Sequence, residues 1–507
     1  MEKLNIEIYS VFSDINKLNT ISSKKAFKKI VRDFLNCICE LYDIEKNVVL
    51  PEIENKEEVL EFLVKTGMIK NKSQFEDLKE VLKKEFKNVI SIISIYVKKN
   101  IPIDKNLNKF IDYYRKEEVN RYLNDKKSPT VVDFFCGAGG MSLGFHQNGY
   151  KIVLANDIEK VCTETYSFNH YEIPKNRILN DDIKNIIDNI DDIVTEEVDV
   201  IIGGPPCQGF SMANRQRIID DPRNILYKYY VKGVEKLKPK LFVMENVKGM
   251  LSVAEQVKED FHNLESVDYD VDYHLFNAKD FSVPQNRQRL IYIGIRKDIC
   301  KKINKNATNI INEIIEHTKQ MSQYTLYDAI GDLRELEPFR TKNATEVDTE
   351  ESGKKIEKNI SREASEYANL INNDVINSLV FNHKARYNND RDIEIFGRML
   401  PGDKSDSERI ADIMPYKSRS NIFKDKYYKL KPNDICKTIT AHMKFDCNMY
   451  IHPNQARGLT PREAARVQSY PDDYMFCGTY TKTYMQIGNS VPPLMSRIIA
   501  KIISKYL

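Results

Sequence analysis

Hydrophobic positions divide the chain into a helical beginning and an alternating remainder. Apolar residues recur every three or four positions from Lys24 to Tyr42 and again from Phe75 to Val97, which predicts amphipathic helices. From Thr130 onward, short runs rich in valine and isoleucine alternate with helical segments. Such alternation predicts right-handed crossovers and a mainly parallel sheet. We therefore predict an α/β fold preceded by a helical accessory region, for which packing, oligomer contact and DNA contact all remain open as roles.

The first two predicted strands end at residues suited to a nucleotide. Thr130 to Phe135 runs into a glycine-rich turn, where small residues let a ligand approach the backbone. Lys151 to Ala155 leads to Asp157, at a spacing where an acidic residue binds ribose hydroxyls. Asp182 either accepts from an exocyclic amine or caps the next helix. The glycine turn alone is a weak signal, because it lacks the spacing of a dinucleotide fingerprint.

A stiff turn carries a cysteine after the third of these strands. Val198 to Ile202 is typical of a buried strand, and it leads into Gly-Gly-Pro-Pro-Cys, whose prolines restrict the backbone around Cys207. The next strand ends at Glu245. Because open α/β sheets bind ligands at the carboxyl ends of their strands, we expect Asp133, Asp157, Cys207 and Glu245 along one edge. Taken alone, the turn is also compatible with a proline-rich loop and an incidental thiol.

Two further segments carry recognisable local chemistry. Arg287 and Arg289 lie on the same side of an extended segment, an arrangement that suits a phosphate or a charged partner. The residues from Arg457 to Gln468 predict a helix, because Thr460 fits the N-cap and Glu463 the third position of a capping box. The intervening region is more irregular and largely unreadable. Within it, residues 382–386 either contact phosphates or form the solvated end of a helix.

Composition limits the class of protein. With 41% hydrophobic and 30% charged residues among 507, the chain is globular, and no apolar run approaches the roughly 18 residues of a membrane span. Its start lacks a signal-peptide profile, so we expect a cytoplasmic protein. Nine scattered cysteines predict neither a disulfide framework nor a metal site. A net charge of +3 permits nucleic-acid binding without indicating it.

Together these motifs resemble those of the cytosine-C5 DNA methyltransferases that use S-adenosylmethionine. The resemblance covers roughly residues 130–296 and 436–507, and its strength lies in the order of the motifs. The matching segments are Asp133 to Gly140, Gly204 to Ser211, Glu245 to Val247, Gln285 to Arg289, Arg457 to Gln468 and Gly488 to Val491.

The resemblance implies a fold, a domain plan and a substrate. The fold is a Rossmann-like class I methyltransferase domain with a smaller, irregular target-recognition domain and a helical N-terminal extension. We expect an accessory domain at 1–127, a catalytic domain at 128–296 completed by 484–507, and target recognition at 297–483. The substrate is a flipped-out cytosine in double-stranded DNA, bound by a monomer, with a cognate restriction endonuclease as a further partner. A transfer-RNA cytosine methyltransferase and a catalytically silent DNA-binding module remain alternatives.

The resemblance also assigns residues to roles. Cys207 adds as a thiolate to cytosine C6, and Glu245 hydrogen-bonds or protonates the ring nitrogen N3. Arg287 and Arg289 position the base and the thiolate. S-adenosylmethionine is the implied cofactor, although the family commonly has glutamate where this chain has Asp157. The implied cofactor contacts are Asp133, Phe135, Cys136, Gly137, Ala138, Gly139, Gly140, Asp157, Ile158, Asp182, Ile183, Pro206, Asn489, Ser490 and Val491, and the implied DNA contacts are Gln208, Ser211, Arg215, Arg217 and Gln285.

Overall fold

The computed structural model describes residues 10–206, 225–342, 347–359, 363–372, 378–415, 426–445 and 447–507. Its strands are β1 (Thr130–Phe134), β2 (Lys151–Asn156), β3 (Ile178–Leu179), β4 (Val200–Gly203), β5 (Leu241–Val247), β6 (Tyr269–Asn277), β7 (Gln285–Asn286), β8 (Gln288–Arg296), β9 (Gly353–Lys358), β10 (Leu379–Lys384) and β11 (Cys436–Lys437).

Helices surround these strands and make up most of the first 124 residues. They are α1 (Ile21–Tyr42), α2 (Lys56–Lys65), α3 (Phe75–Leu82), α4 (Phe86–Lys98), α5 (Lys105–Asn108), α6 (Asp112–Asn124), α7 (Gly140–His146), α8 (Lys160–Asn169), α9 (Ile183–Asp188), α10 (Ile190–Ile193), α11 (Ile225–Leu237), α12 (Ala254–His262), α13 (Lys297–Ile303), α14 (Ala307–Thr318), α15 (Leu326–Ile330), α16 (Glu366–Ile371), α17 (Asp390–Arg398), α18 (Pro461–Val467), α19 (Tyr480–Asn489) and α20 (Pro493–Ile503).

Seven strands form one sheet in the order β3-β2-β1-β4-β5-β8-β6. The first five in this order are parallel, whereas β8 runs antiparallel to both β5 and β6. The parallel strands β1, β2, β4 and β5 are buried along nearly their whole length, because helices cover both faces and the sequences are rich in valine and isoleucine. The predicted α/β class with a mainly parallel sheet is confirmed.

The predicted motif helix forms as α18 and begins at its expected cap. Thr460 and Glu463 make the reciprocal capping box, in which the backbone N–H of each residue donates to the side chain of the other. Arg457 adds two hydrogen bonds of 2.8 and 2.7 Å to the Glu463 carboxylate. All three side chains are buried, so this helix start is a polar network inside the protein.

The segment 382–386 corrects both sequence expectations for it. Most of it belongs to β10, which pairs antiparallel with β9. His383 is fully buried, with Nε2 2.9 Å from the Arg334 carbonyl oxygen and Nδ1 3.2 Å from the Thr460 hydroxyl. It therefore neither faces solvent at a helix end nor reaches a phosphate.

The N-terminal region is helical, as predicted, and packs onto the rest of the molecule. The second predicted helical stretch is two helices, α3 and α4, separated by a short turn in which Lys83 has a φ of 55°. The apolar core of this region continues through Phe168, Phe381 and Met475. Among the described residues, no helix combines the length and the apolar character needed to cross a membrane.

Candidate active site

A cavity of about 570 Å³ opens at the carboxyl ends of β1, β2, β4 and β5. Each of these strands delivers side chains to it, because the carboxyl ends of parallel strands lie at one edge of the sheet. Asp133, Asp157 and Glu245 line its wall together with Pro206, the last described residue of the Pro-Pro-Cys turn. The expected alignment of acidic strand ends is therefore present among the described residues.

The glycine turn after β1 shapes one side of the cavity. Gly139 has a φ of 85°, and a Cβ built on it lies 2.7 Å from the Tyr474 hydroxyl and 2.9 Å from the Tyr166 ring. Only glycine fits such a position without strain. Gly137, Ala138 and their neighbours line the cavity, whereas Gly139 lies behind its wall. Gly139 thus supports the turn and is not itself a lining residue.

Asp133 is a buried carboxyl group beneath the cavity. Its Oδ2 accepts a 2.6 Å hydrogen bond from the Ser142 hydroxyl, which accepts in turn from Tyr166 at 2.7 Å. Burial raises the pKa of Asp133 to about 8, and the neighbouring charge of Asp157 acts in the same direction. Asp133 is therefore held mainly in its neutral form at neutral pH, as an anchor between β1 and α7.

The residues expected to hold an adenosine group lie next to the glycine turn. Asp157 accepts from the backbone N–H of Gly137 at 2.9 Å and of Glu159 at 2.8 Å. Burial raises the pKa of Asp157, and these two hydrogen bonds oppose the shift. Ile158 lines the cavity and is 68% exposed, so it presents an apolar surface there. The hydrogen bond from the Gly137 N–H fixes Asp157 to the glycine turn.

Asp182 caps a helix and also lines the cavity. Its Oδ1 accepts from the Lys184 backbone N–H at 2.9 Å, so it is the N-cap of α9. Asp182 and Ile183 also line the cavity. The capping role therefore holds, and the position is compatible with a ligand contact as well.

Glu245 and Arg289 form an ion pair on the cavity wall. The Arg289 Nε lies 2.6 Å from Glu245 Oε1, and the two side chains are 14% and 11% exposed. Burial lowers the pKa of Arg289, while the Glu245 charge opposes that shift. Nearby, the Asn246 side chain donates to the Pro205 carbonyl oxygen at 3.1 Å. The end of β5 thus carries Glu245 on the cavity wall, and through Asn246 it also holds the turn that leads to Cys207.

Arg287 and Gln285 occupy places that differ from the sequence expectation. Arg287 is fully buried and donates to the carbonyl oxygens of Ile439, Gly488 and Ser490 at 2.7, 3.0 and 2.8 Å. It is not among the residues that line the cavity. Its guanidinium group joins the strand segment to the C-terminal loop and does not face the cavity where it was expected to position the base and the thiolate.

Gln285 is equally inaccessible. It donates to the Val467 carbonyl and the Gln468 side chain at 3.2 and 2.9 Å, and it accepts from the Ile439 backbone N–H at 2.8 Å. Its side chain is fully buried, which leaves no surface for DNA. We therefore assign Gln285 a structural role in place of the expected DNA contact.

The C-terminal loop closes the cavity through Asn489, Ser490 and Val491. Two aromatic residues behind this loop were missed from the sequence. The Tyr470 and Ser490 hydroxyls lie 2.5 Å apart, and the Tyr474 hydroxyl donates to the Ala138 carbonyl. The signal available was the pair of tyrosines that directly follows the motif helix. Cys207, Gln208, Ser211, Arg215 and Arg217 lie outside the described residues.

Fold and site together define a class I methyltransferase with a nucleotide-sized cavity beside a Glu–Arg pair. The chain belongs to the family of C-5 cytosine-specific DNA methylases, whose family model matches residues 129–505. It is therefore a DNA cytosine-C5 methyltransferase. The helical N-terminal region lies outside the matched range.

Individual relatives agree with this assignment. Type II methyltransferase M.DdeI of Desulfomicrobium norvegicum is 34% identical over 401 residues, which cover 74% of this chain and 88% of that protein. M.XorII of Xanthomonas oryzae pv. oryzae is 34% identical over 397 residues, covering 75% and 85%. A crystal structure described as a DNA modification methyltransferase encoded within an E. coli prophage is 25% identical, with a TM-score of 0.57, and covers 75% of this chain and 99% of that one.

Proposed function

We propose that this enzyme transfers a methyl group from S-adenosylmethionine to C5 of a cytosine flipped out of a specific duplex DNA sequence, through a covalent Cys207–C6 adduct. The observation that carries the proposal is the position of the Glu245–Arg289 pair. It shares one cavity with Pro206, which precedes the cysteine, and with the residues suited to an adenosine group. Base and donor would therefore meet within a single site.

The cavity residues fit the proposed cofactor. A volume of about 570 Å³ lies within the usual range for small-molecule sites. Asp157 would hold the ribose, Ile158 would pack on the adenine ring, and Asp182 would accept from the adenine amine. When bound, S-adenosylmethionine supplies the activated methyl group. The glycine turn supports this fit, since residues 136–138 line the cavity wall.

The protein's own groups would act on the cytosine. Cytosine C5 is a weak nucleophile, and addition of the Cys207 thiolate to C6 makes C5 electron-rich. A free thiol is only a few per cent ionised at neutral pH, so the site must favour its thiolate. Glu245 would hydrogen-bond or protonate N3 and so offset the charge that develops on the ring. Arg289 would hold Glu245 in place, and Arg287 would fix the loop around Ser490.

We further propose that the enzyme belongs to a restriction–modification system and acts on DNA as a monomer, with a cognate endonuclease as partner. The support is that the relatives M.DdeI and M.XorII are named type II methyltransferases. A cytoplasmic location in association with the nucleoid fits this role and stays a prediction. Base flipping costs a few kcal/mol, which the contacts of the flipped base inside the active site must offset.

Transfer of labelled methyl groups to duplex DNA and to transfer RNA tests the substrate. We expect label in DNA alone, and bisulfite mapping should place 5-methylcytosine at one short sequence. Label in transfer RNA alone would show that transfer RNA, and not DNA, is the substrate. Absence of transfer to either polymer would leave only a DNA-binding module.

A further inference from the structure

The first half of α1 is strongly basic. Its first three turns carry five basic residues and no acidic one between Lys24 and Arg32. All of these side chains are exposed or partly exposed. The region lies outside the part of the chain that matches the methylase family, so that family assigns it no role. The five residues are Lys24, Lys25, Lys28, Lys29 and Arg32.

The turn between α3 and α4 lies directly beside this helix and adds to its charge. Lys28 Nζ donates to the Leu82 carbonyl oxygen at 3.0 Å and lies 3.4 Å from Glu85, which Arg32 also contacts at 3.3 Å. Residues 83–87 contain three lysines around that single glutamate. We call residues 24–32 and 83–87 the basic surface. Its second group of lysines is Lys83, Lys84 and Lys87.

The basic surface has a large excess of positive charge, whereas residues 1–127 as a whole have only a small one. Residues 1–127 contain 25 basic and 21 acidic residues. Eight of the basic ones and only one acidic one fall within these two short stretches, so the remainder of the region is net acidic. In the part of the chain that the structure describes, no ion pair involves any of the five most exposed lysines, Lys24, Lys25, Lys83, Lys84 and Lys87.

This arrangement opposes the stability of the helix that carries it. Cations are disfavoured at a helix N-terminus, where the helix dipole is positive. Lys24 and Lys28, Lys25 and Lys29, and Lys28 and Arg32 each stand four residues apart, a spacing at which like charges repel. Folding therefore gains little from these charges, which favours an interaction with an anionic partner as their role.

The second half of α1 anchors the helix and has the opposite charge. Asp33 contacts Lys355 at 2.5 Å, and Glu40 contacts Lys354 at 3.3 Å, so this half is held against β9. The basic first half is packed as well, because Phe27 and Val31 are buried in the apolar core of this region. Such a helix holds its charged end in a defined place on the molecule.

One residue of the basic surface, Lys29, lies near the start of the helix that ends at the active-site cavity. Lys29 lines a small pocket together with Pro461 and Tyr480, the first residues of α18 and α19. Helix α19 ends at Asn489, which lines the active-site cavity. Ten helical residues span about 15 Å. Along a duplex, with 3.4 Å between successive phosphates of one strand, the length of α19 corresponds to about 4 or 5 base pairs.

We propose that the basic surface binds the phosphate backbone of the duplex DNA that flanks the methylated cytosine. The proposal rests on the proposed function only for its choice of duplex DNA as the partner. Exposed lysines contact phosphates without reading sequence, so the surface contributes affinity and not specificity. The target-recognition region retains the choice of sequence.

The salt dependence of DNA binding tests the proposal. A variant with Lys24, Lys25, Lys83, Lys84 and Lys87 changed to glutamine removes five charges from the surface. The matched control changes five exposed lysines elsewhere in the same region. Binding of the full chain to a fluorescent mixed-sequence duplex is measured at several salt concentrations. The control positions are Lys65, Lys72, Lys79, Lys98 and Lys105.

The slope of log Kobs against log salt falls by about 0.9 for each phosphate that the protein no longer neutralises. We expect the surface variant to neutralise at least two phosphates fewer than wild type, hence a slope smaller by about 2, with the control close to wild type. Its melting temperature should equal or exceed that of wild type, since repulsion in α1 is relieved. Equal slopes for all three proteins, or equal decreases in both variants, would overturn the proposal.

Position along the DNA is tested once the methylated sequence is mapped. On a duplex that ends about 3 base pairs from the target on both sides, wild type and surface variant should bind alike. A difference that persists on this short duplex would contradict the flanking contact. A wild-type protein that binds DNA with the expected slope but transfers no methyl group would contradict the proposed function and leave the surface proposal standing.

Discussion

Replacing Glu245 with glutamine isolates the charge of the carboxylate from its shape. The Arg289 Nε lies 2.6 Å from a carboxylate oxygen, and both side chains are largely buried. Glutamine keeps an acceptor oxygen at nearly the same place but lacks the negative charge and the ionisable proton. A hydrogen bond to a charged group is worth about 1.5 to 3 kcal/mol and a neutral one about 1 kcal/mol, so we expect stability to fall by about 0.5 to 2 kcal/mol.

Catalysis should suffer far more than stability. General acid–base assistance contributes about 10²- to 10⁴-fold, which corresponds to roughly 3 to 5.5 kcal/mol in the barrier. We expect single-turnover methyl transfer at saturating DNA to slow by that factor, while DNA binding changes little. Glu255→Gln is the control, because this glutamate accepts from Tyr273 at an exposed site. A Glu245→Gln rate within about threefold of wild type would refute the assigned role.

Two further predictions concern buried acids away from the reacting atoms. Glu463→Gln should lower stability by about 3 to 5 kcal/mol in thermal denaturation, because it leaves the buried Arg457 without its charged partner. The control Glu76→Gln, at an exposed position, should leave the melting temperature unchanged. Equal effects of the two substitutions would contradict the buried network. The folded-state pKa of Asp133 is about 8 and its unfolded value is 3.8, so the wild-type protein becomes less stable as pH rises from about 4 to 8. Asparagine does not ionise, so Asp133→Asn should be increasingly stable relative to wild type across that pH range. A gain that does not vary with pH would exclude a buried neutral Asp133.

Local rules recovered much of the site. The acidic strand ends converge because parallel strands share an edge, and the α18 capping box follows from spacing alone. Glu245 and Asp157 lie where that reasoning placed them. Each of these features depends on residues close together in the chain, so its geometry is readable before the fold is known.

Long-range burial was not readable in the same way. Arg287 and Arg289 stand two residues apart in an extended segment, yet one is enclosed by carbonyl oxygens and the other pairs with Glu245. Their different neighbours come from segments far away in sequence, since Ser490 and Glu245 belong to other elements of the fold. The prediction for His383 was wrong for the same reason. Its ring contacts Arg334 and Thr460, which are distant in sequence, so the polar local sequence does not show that His383 belongs to a buried strand. Nothing in the local pattern distinguishes such residues from surface ones.

Covalent trapping on a duplex with 5-fluorocytosine at the mapped target tests the central claim most directly. After methyl transfer, Cys207 is released only when C5 loses its proton and the C6–S bond breaks by β-elimination. With S-adenosylmethionine present, fluorine in place of that proton prevents the elimination, so the adduct should persist in denaturant, and peptide mapping should place it on Cys207. The Cys207→Ala variant should still bind this duplex but form no adduct. A stable adduct on another residue, or one that survives in Cys207→Ala, would contradict the assignment of the nucleophile.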